Sequence, residues 1–190
     1  MNRQVEKALA CIALALAALV GPGCGPSTTD APPPCDQKCQ DALALRAIRE
    51  TIKLAYNLTF QGQDAGHHEV GARCPLGGKG RVAGDATSNA AQGATFVDIV
   101  YDFDGCTTMA KQPGRAYRMT LTGQVREKGV IAVQPTATTA LLFDSASLTL
   151  AGTVSDPPIA YEAAACVLAA GQNGNHLSGV LCEREVGLDL

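Results

Sequence analysis

The side chains with most chemistry to offer are the cysteines. Eight occur, at positions 11, 24, 35, 39, 74, 106, 166 and 182. Cys166 and Cys182 lie symmetrically about Gly174, within the turn-forming run Gly171-Gln172-Asn173-Gly174-Asn175. Folded as a hairpin, this segment sets Leu168 opposite Val180. It also brings the two cysteines close to disulfide range, since opposed Cβ atoms in a sheet lie about 4.5–5.5 Å apart. Cys74 and Cys106 bracket another hairpin, residues 79–104, in the same way. Cys35 and Cys39 are left to close a small loop, with Cys35 just outside a helix and Cys39 in its first turn. Six cysteines allow about 15 pairings, and this set is one of them. Cys35 and Cys39 also have a sharper reading as a thiol or copper site, because thiolates select soft metals. His67 or His68 would then have to approach through space.

Other clusters carry less. A zinc protease needs His-Glu-x-x-His, and after His68-Glu69 position 72 is Ala. Adjacent histidines on a strand point to opposite faces and do not chelate together easily, so His67-His68-Glu69 reads as a polar loop between helix and sheet. Asp102-Phe103-Asp104-Gly105 matches part of a calcium loop, but Val100 and Lys111 stand where the pattern has acids. Those carboxylates read as a solvated strand face with Arg118 as partner. Gly77-Gly78-Lys79-Gly80-Arg81 lacks the spacing and the Ser or Thr of a phosphate loop, and Ser178 has no Gly-x-Ser-x-Gly context. No catalytic residue, metal ligand or cofactor site is assigned. A hydrolase on this chain would rest on His68 or His176 with a carboxylate.

The elements that position these groups begin with a helix over residues 36–58. Asp36 caps it, and Leu45, Ile48, Ile52 and Ala55 form one apolar stripe that must be covered. From residue 62 to 190 glycine, threonine and alternating apolar residues predict strands. Val97, Ile99, Tyr101 and Phe103 share a face; so do Tyr117, Met119, Leu121 and Val125. Setting Phe103 opposite Tyr117 puts Tyr101 on Met119, Ile99 on Leu121 and Asp102 on Arg118, which satisfies both faces. Residues 129–133 predict a short strand stopped before Pro135. Residues 141–143 and 147–154 join as one strand with a bulge at Asp144. Residues 161–170 favour a strand, and residues 177–184 close the sheet. The fold class is therefore α+β, mainly β: an N-terminal helix packed on a twisted antiparallel meander of six to eight strands, disulfide-braced and able to curl into an open barrel.

Ahead of this domain, residues 35–190, lie two segments of different character. Residues 1–23 read as a signal peptide: Arg3 and Lys7 precede an unbroken apolar run, Ala8 to Val20. As a helix that run rises roughly 20 Å, short of a bilayer core of about 30 Å. Residues 24–34 include Pro32-Pro33-Pro34 and read as an extended tether. The leader holds two of the 15 basic and one of the 18 acidic side chains, so residues 24–190 carry 13 and 17, a net of −4. That balance argues against a nucleic-acid binder. With no Trp and 4% aromatic residues, stacking platforms for sugars or bases are not expected.

The stretch Leu19-Val20-Gly21-Pro22-Gly23-Cys24 resembles a bacterial lipobox, with the small Gly23 before the cysteine and Gly21 where the pattern has a branched apolar residue. The chain as a whole resembles the lipoproteins of bacterial envelopes, and no activity comes with that resemblance. It implies cleavage before Cys24 and lipidation there, which leaves an even six cysteines to pair. An outer-membrane address is implied by the lack of an Asp at position 25; soluble periplasmic or secreted protein is the alternative. The expected role is a non-catalytic binding or structural module of the envelope, its partners the membrane through the lipid, a protein, or a small apolar ligand.

Overall fold

A computed structural model describes residues 34–190; the leader, Cys24 and the tether up to residue 33 lie outside the described residues. One helix, α1 (Gln37–Thr59), precedes eight strands: β1 (Gly66–Arg73), β2 (Lys79–Asn89), β3 (Ala94–Ala110), β4 (Tyr117–Ala132), β5 (Ala140–Val154), β6 (Ile159–Asn173), β7 (His176–Leu181) and β8 (Arg184–Asp189). They form one antiparallel sheet in chain order. β1 and β8 do not pair, so the sheet is open.

Asp36 caps α1, its carboxylate accepting from the Cys39 amide at 2.9 Å. The stripe Leu45, Ile48, Ile52 and Ala55 is buried, and Leu43, Ala44 and Ala47 are buried beside it. The covered face is thus wider than one stripe, because the sheet curls round the helix. α1 touches β1 through β5 and also β8. Long strands achieve this curl with bulges and glycine kinks. Gly84 and Gly152, at φ 150° and 159°, hold a backbone conformation that only glycine adopts readily. A Cβ on Gly84 would stand 2.2 Å from the Asp98 carbonyl oxygen, and one on Gly152 would stand 2.0 Å from that of Arg118.

The inward set Val97, Ile99, Tyr101 and Phe103 is buried, as are Tyr117, Met119, Leu121 and Val125. Their register differs from the sequence expectation. Tyr101 lies opposite Val125, Phe103 opposite Gly123 and Ile99 opposite Glu127, while Tyr117 pairs with Ala110. Gly105, at φ 65°, does not open a loop; it bulges β3, and the strand runs on through the buried Cys106 and Thr108. The bulge restores inward facing after Phe103, so the longer pairing costs no apolar contact. Arg118 consequently faces Met109 rather than Asp102. On the outer face Arg126 meets Asp98 at 2.7 and 2.8 Å, and Arg81 meets Glu69 at 2.8 Å.

Other boundaries move too. Residues 129–132 continue β4, and no separate strand forms there. The irregularity in β5 falls between Ser145 and Leu148 rather than at Asp144. Residues 176–189 make a hairpin, β7–β8, turning at Cys182 and Glu183 with φ 50° and 66°. Leu168 pairs with Leu181, one residue from the expected Val180.

Disulfides join Cys35 to Cys39, Cys74 to Cys106 and Cys166 to Cys182, with Cα separations of 5.2, 5.4 and 4.5 Å. The first staples the helix start, the second ties the β1–β2 turn to the bulged part of β3, and the third ties β6 to the β7–β8 turn. Replacing Cys166 and Cys182 together by serine should lower stability by about 3 kcal/mol, the chain-entropy value for a loop of this length, measured by urea unfolding. Gly152→Ala should cost about 2 kcal/mol or more by the same measurement, from backbone strain and the clash; an unchanged midpoint would contradict the kink's role.

Candidate functional site

Past its last turn α1 meets the ends of β2, β3 and β4, and a cleft of about 490 Å³ opens between them. Tyr56 from the helix, Phe60 just past its end and Ile131 from β4 supply apolar wall; Asn57, Gln61 and Gln134 supply amides. No charged side chain lines it. A smaller chamber of about 230 Å³ shares Tyr56, Asn57, Ile131 and Ala132 with it and adds Arg49, Lys53 and Glu127. The two adjoin through those shared residues; in this recess the larger part is uncharged, and the smaller carries Glu127 together with the cations Arg49 and Lys53.

Glu127 reaches this position through the pleat of β4. Its inward series runs Tyr117, Met119, Leu121, Val125, and the next residue in step is Glu127. It is 4% exposed. The hydroxyl of the fully buried Tyr101 donates to Glu127 Oε2 at 2.5 Å. Glu127 also lines the smaller chamber. Burial pushes the Glu127 carboxyl above the usual carboxylate range; the Tyr101 hydrogen bond and the Arg49 charge offset only part of that. Burial first, then the Glu127 charge, holds Tyr101 in its neutral form. A buried carboxyl beside a chamber can meet a single polar group of a ligand.

A second buried carboxylate behaves differently. Asp41 sits on α1 one helical turn before Leu45, in line with the apolar stripe. Arg184 donates to both its oxygens, at 2.7 and 2.8 Å; the Tyr161 hydroxyl donates at 2.8 Å and the Gln37 amide at 3.0 Å. Burial pushes the Asp41 carboxyl up, but the hydrogen bonds from Arg184, Tyr161 and Gln37 together outweigh it and hold it below the usual range. Both oxygens have donors, so this group locks the helix to β6 and β8.

The residues singled out by sequence lie elsewhere. His67 and His68 are on β1 and not in a loop, and His176 opens β7. His68 Nε2 lies 2.7 Å from the Asp64 carbonyl oxygen, its ring edge-on to Phe60. His176 Nδ1 lies 3.0 Å from Asp189 Oδ1, with both side chains exposed. None of the three histidines lines the recess. The Cys35 and Cys39 sulfurs are bonded to each other at the start of α1. Phe60 and His68 are at its far end, about 34 Å away along a helix of 23 residues. Among the described residues no three His, Cys, Asp or Glu side chains are placed to hold a metal ion. No protein-family model, curated protein or solved structure matches the chain.

Sequence reasoning passed over Glu127 and Asp41, although both fall in step with apolar series that it used. An acid in such a series is the signal that a buried partner is waiting.

The two carboxyls predict opposite pH behaviour. The depressed Asp41 stabilises the fold above its unfolded value, about pH 3.9, and that support is lost as pH falls through its folded value. Asp41→Asn should therefore flatten the acid limb of stability against pH in urea titrations. Asp41→Ala should cost about 3 kcal/mol, the low end for breaking a buried pair, because Arg184 is 45% exposed. Glu127 has the reverse sign: its raised value favours the fold below about pH 4.3 and the advantage goes as pH rises. Glu127→Gln should gain stability over the parent at pH 8 and lose that gain near pH 4, read from melting temperatures across the range.

Proposed function

We propose that the chain is an exported lipoprotein of a bacterial envelope, anchored through Cys24, with an outer-membrane address. Its folded part acts as a non-catalytic binding module that holds a small, mainly apolar ligand in the recess at the end of α1. The observation that carries the binding reading is the recess itself: an uncharged cleft adjoining a smaller chamber that holds the buried carboxyl of Glu127 beside Arg49 and Lys53. Ligand sites are typically concave and mostly apolar, with a few placed polar groups that set orientation. The export reading draws support from the six cysteines after Cys24, all paired, which suits an oxidising compartment.

Two measurements test these halves separately. Expressed with its own leader in a bacterium, the purified chain should begin at Cys24 and exceed the unmodified mass by a lipid; a free Cys24 thiol or another start refutes the anchor. The neutral dye N-phenyl-1-naphthylamine should bind saturably with enhanced fluorescence. Ala132→Trp, which fills the recess, should weaken that binding about tenfold, a loss of about 1.4 kcal/mol. Dye binding that is absent, or indifferent to this change, refutes the recess as the site.

A further inference from the structure

A second cleft, of about 490 Å³, lies where the middle of α1 crosses the β3–β4 and β6–β7 turns. Four cations line it: Arg46, Arg49 and Lys53 from α1 and Arg115 from the β3–β4 turn. Glu50 is the one acidic side chain in the lining. The concentration of positive charge is local, since residues 24–190 as a whole are net acidic.

We propose that this basic cleft binds a phosphate-type anion. Arg46, Arg49 and Lys53 recur at three and four residues, so they share a helix face and project together. Two of them are held by neutral acceptors. Arg46 Nη2 donates to the Asp189 carbonyl oxygen, and Arg49 Nε donates to Gln172 Oε1 at 3.1 Å. Neutral acceptors fix a guanidinium in place and leave its charge to be met. Glu50 meets part of it, 3.5 Å from Arg49 Nη1. Among the described residues the Lys53 and Arg115 side chains make no ion pair and no hydrogen bond. Burial and then the Arg115 charge weigh against the Arg46 cation, while Glu50 and Tyr117 favour it. An anion seated between Arg46 and Arg115 would relieve that crowding. Guanidinium forks match the paired oxygens of phosphate, which sets phosphate ahead of a single carboxylate. The phosphate could belong to a soluble ester or to a lipid headgroup; the chemistry of the cleft is the same for both.

The test uses the full chain with Cys24→Ser, exported and oxidised, so that no lipid anchor contributes. Titration with inorganic phosphate at constant ionic strength, followed by calorimetry, should give saturable binding. Arg46→Gln with Arg115→Gln should weaken it about tenfold or more, as loss of charge-assisted hydrogen bonds does. Arg115→Gln alone, a side chain that holds nothing else, should weaken it in the same direction, which guards against a double variant that misfolds. Co-sedimentation with phosphatidylglycerol and with phosphatidylcholine vesicles separates the sources. Charge-selective vesicle binding that the double variant loses assigns a lipid headgroup; phosphate binding without it assigns a soluble ligand. No saturable phosphate response together with equal binding to both vesicles overturns the proposal, as does phosphate binding that both variants retain. The neutral dye reports on the other recess, so this failure is distinguishable from a failure there.

Discussion

α1 buries Leu43, Ala44, Leu45, Ala47 and Ile48 in under two turns, an arc too wide for a flat surface to cover. The demand for cover on several sides shapes the rest of the molecule. Strands of 15 to 17 residues, in β3 to β6, are long enough to bend around a helix, and glycine kinks and bulges supply the bend. Ala44 and Ala47 let the backbone come close. The sheet stops at β1 and β8 without closing, and the helix reaches both.

Placing a helix inside a curved sheet also decides what becomes of the buried acids. Asp41, near the helix start, meets strands from two directions and has donors on both oxygens. Glu127, on β4, has one hydrogen-bond donor, Tyr101, and lines the smaller chamber. One carboxylate is thereby consumed by architecture, and the other is left facing a recess. The contrast comes from where each group sits in the fold, one on α1 and the other on β4, rather than from residue type.

Much of the fold is legible in the residues. The Asp36 cap, the stripe on α1 and the alternation from Val97 to Phe103 follow from local periods, and each strand meets its sequence neighbour. What resisted reading had ambiguous local signals. Gly105 bulges a strand where an identical glycine could have begun a turn, and the β3–β4 register moved with it. The β7–β8 turn sits on Cys182 and Glu183, neither of them a turn former, so residues 177–184 read as one strand. The recess was illegible for a plainer reason. It is built from residues near 57, 90 and 132, which no local pattern relates, and only the wrapping of the helix brings them together.

The strand order carries a consequence for how the chain assembles. Each strand can zip onto the one made just before it, so sheet pairing never waits for a distant partner. The helix is synthesised first and finished last: Asp41 and Arg184 are 143 residues apart, and their contact closes almost the whole domain. Until β8 arrives, an oily helix stands uncovered on a half-built shell. The interval between the first turn and the final hairpin is thus when the apolar face of α1 has least to cover it.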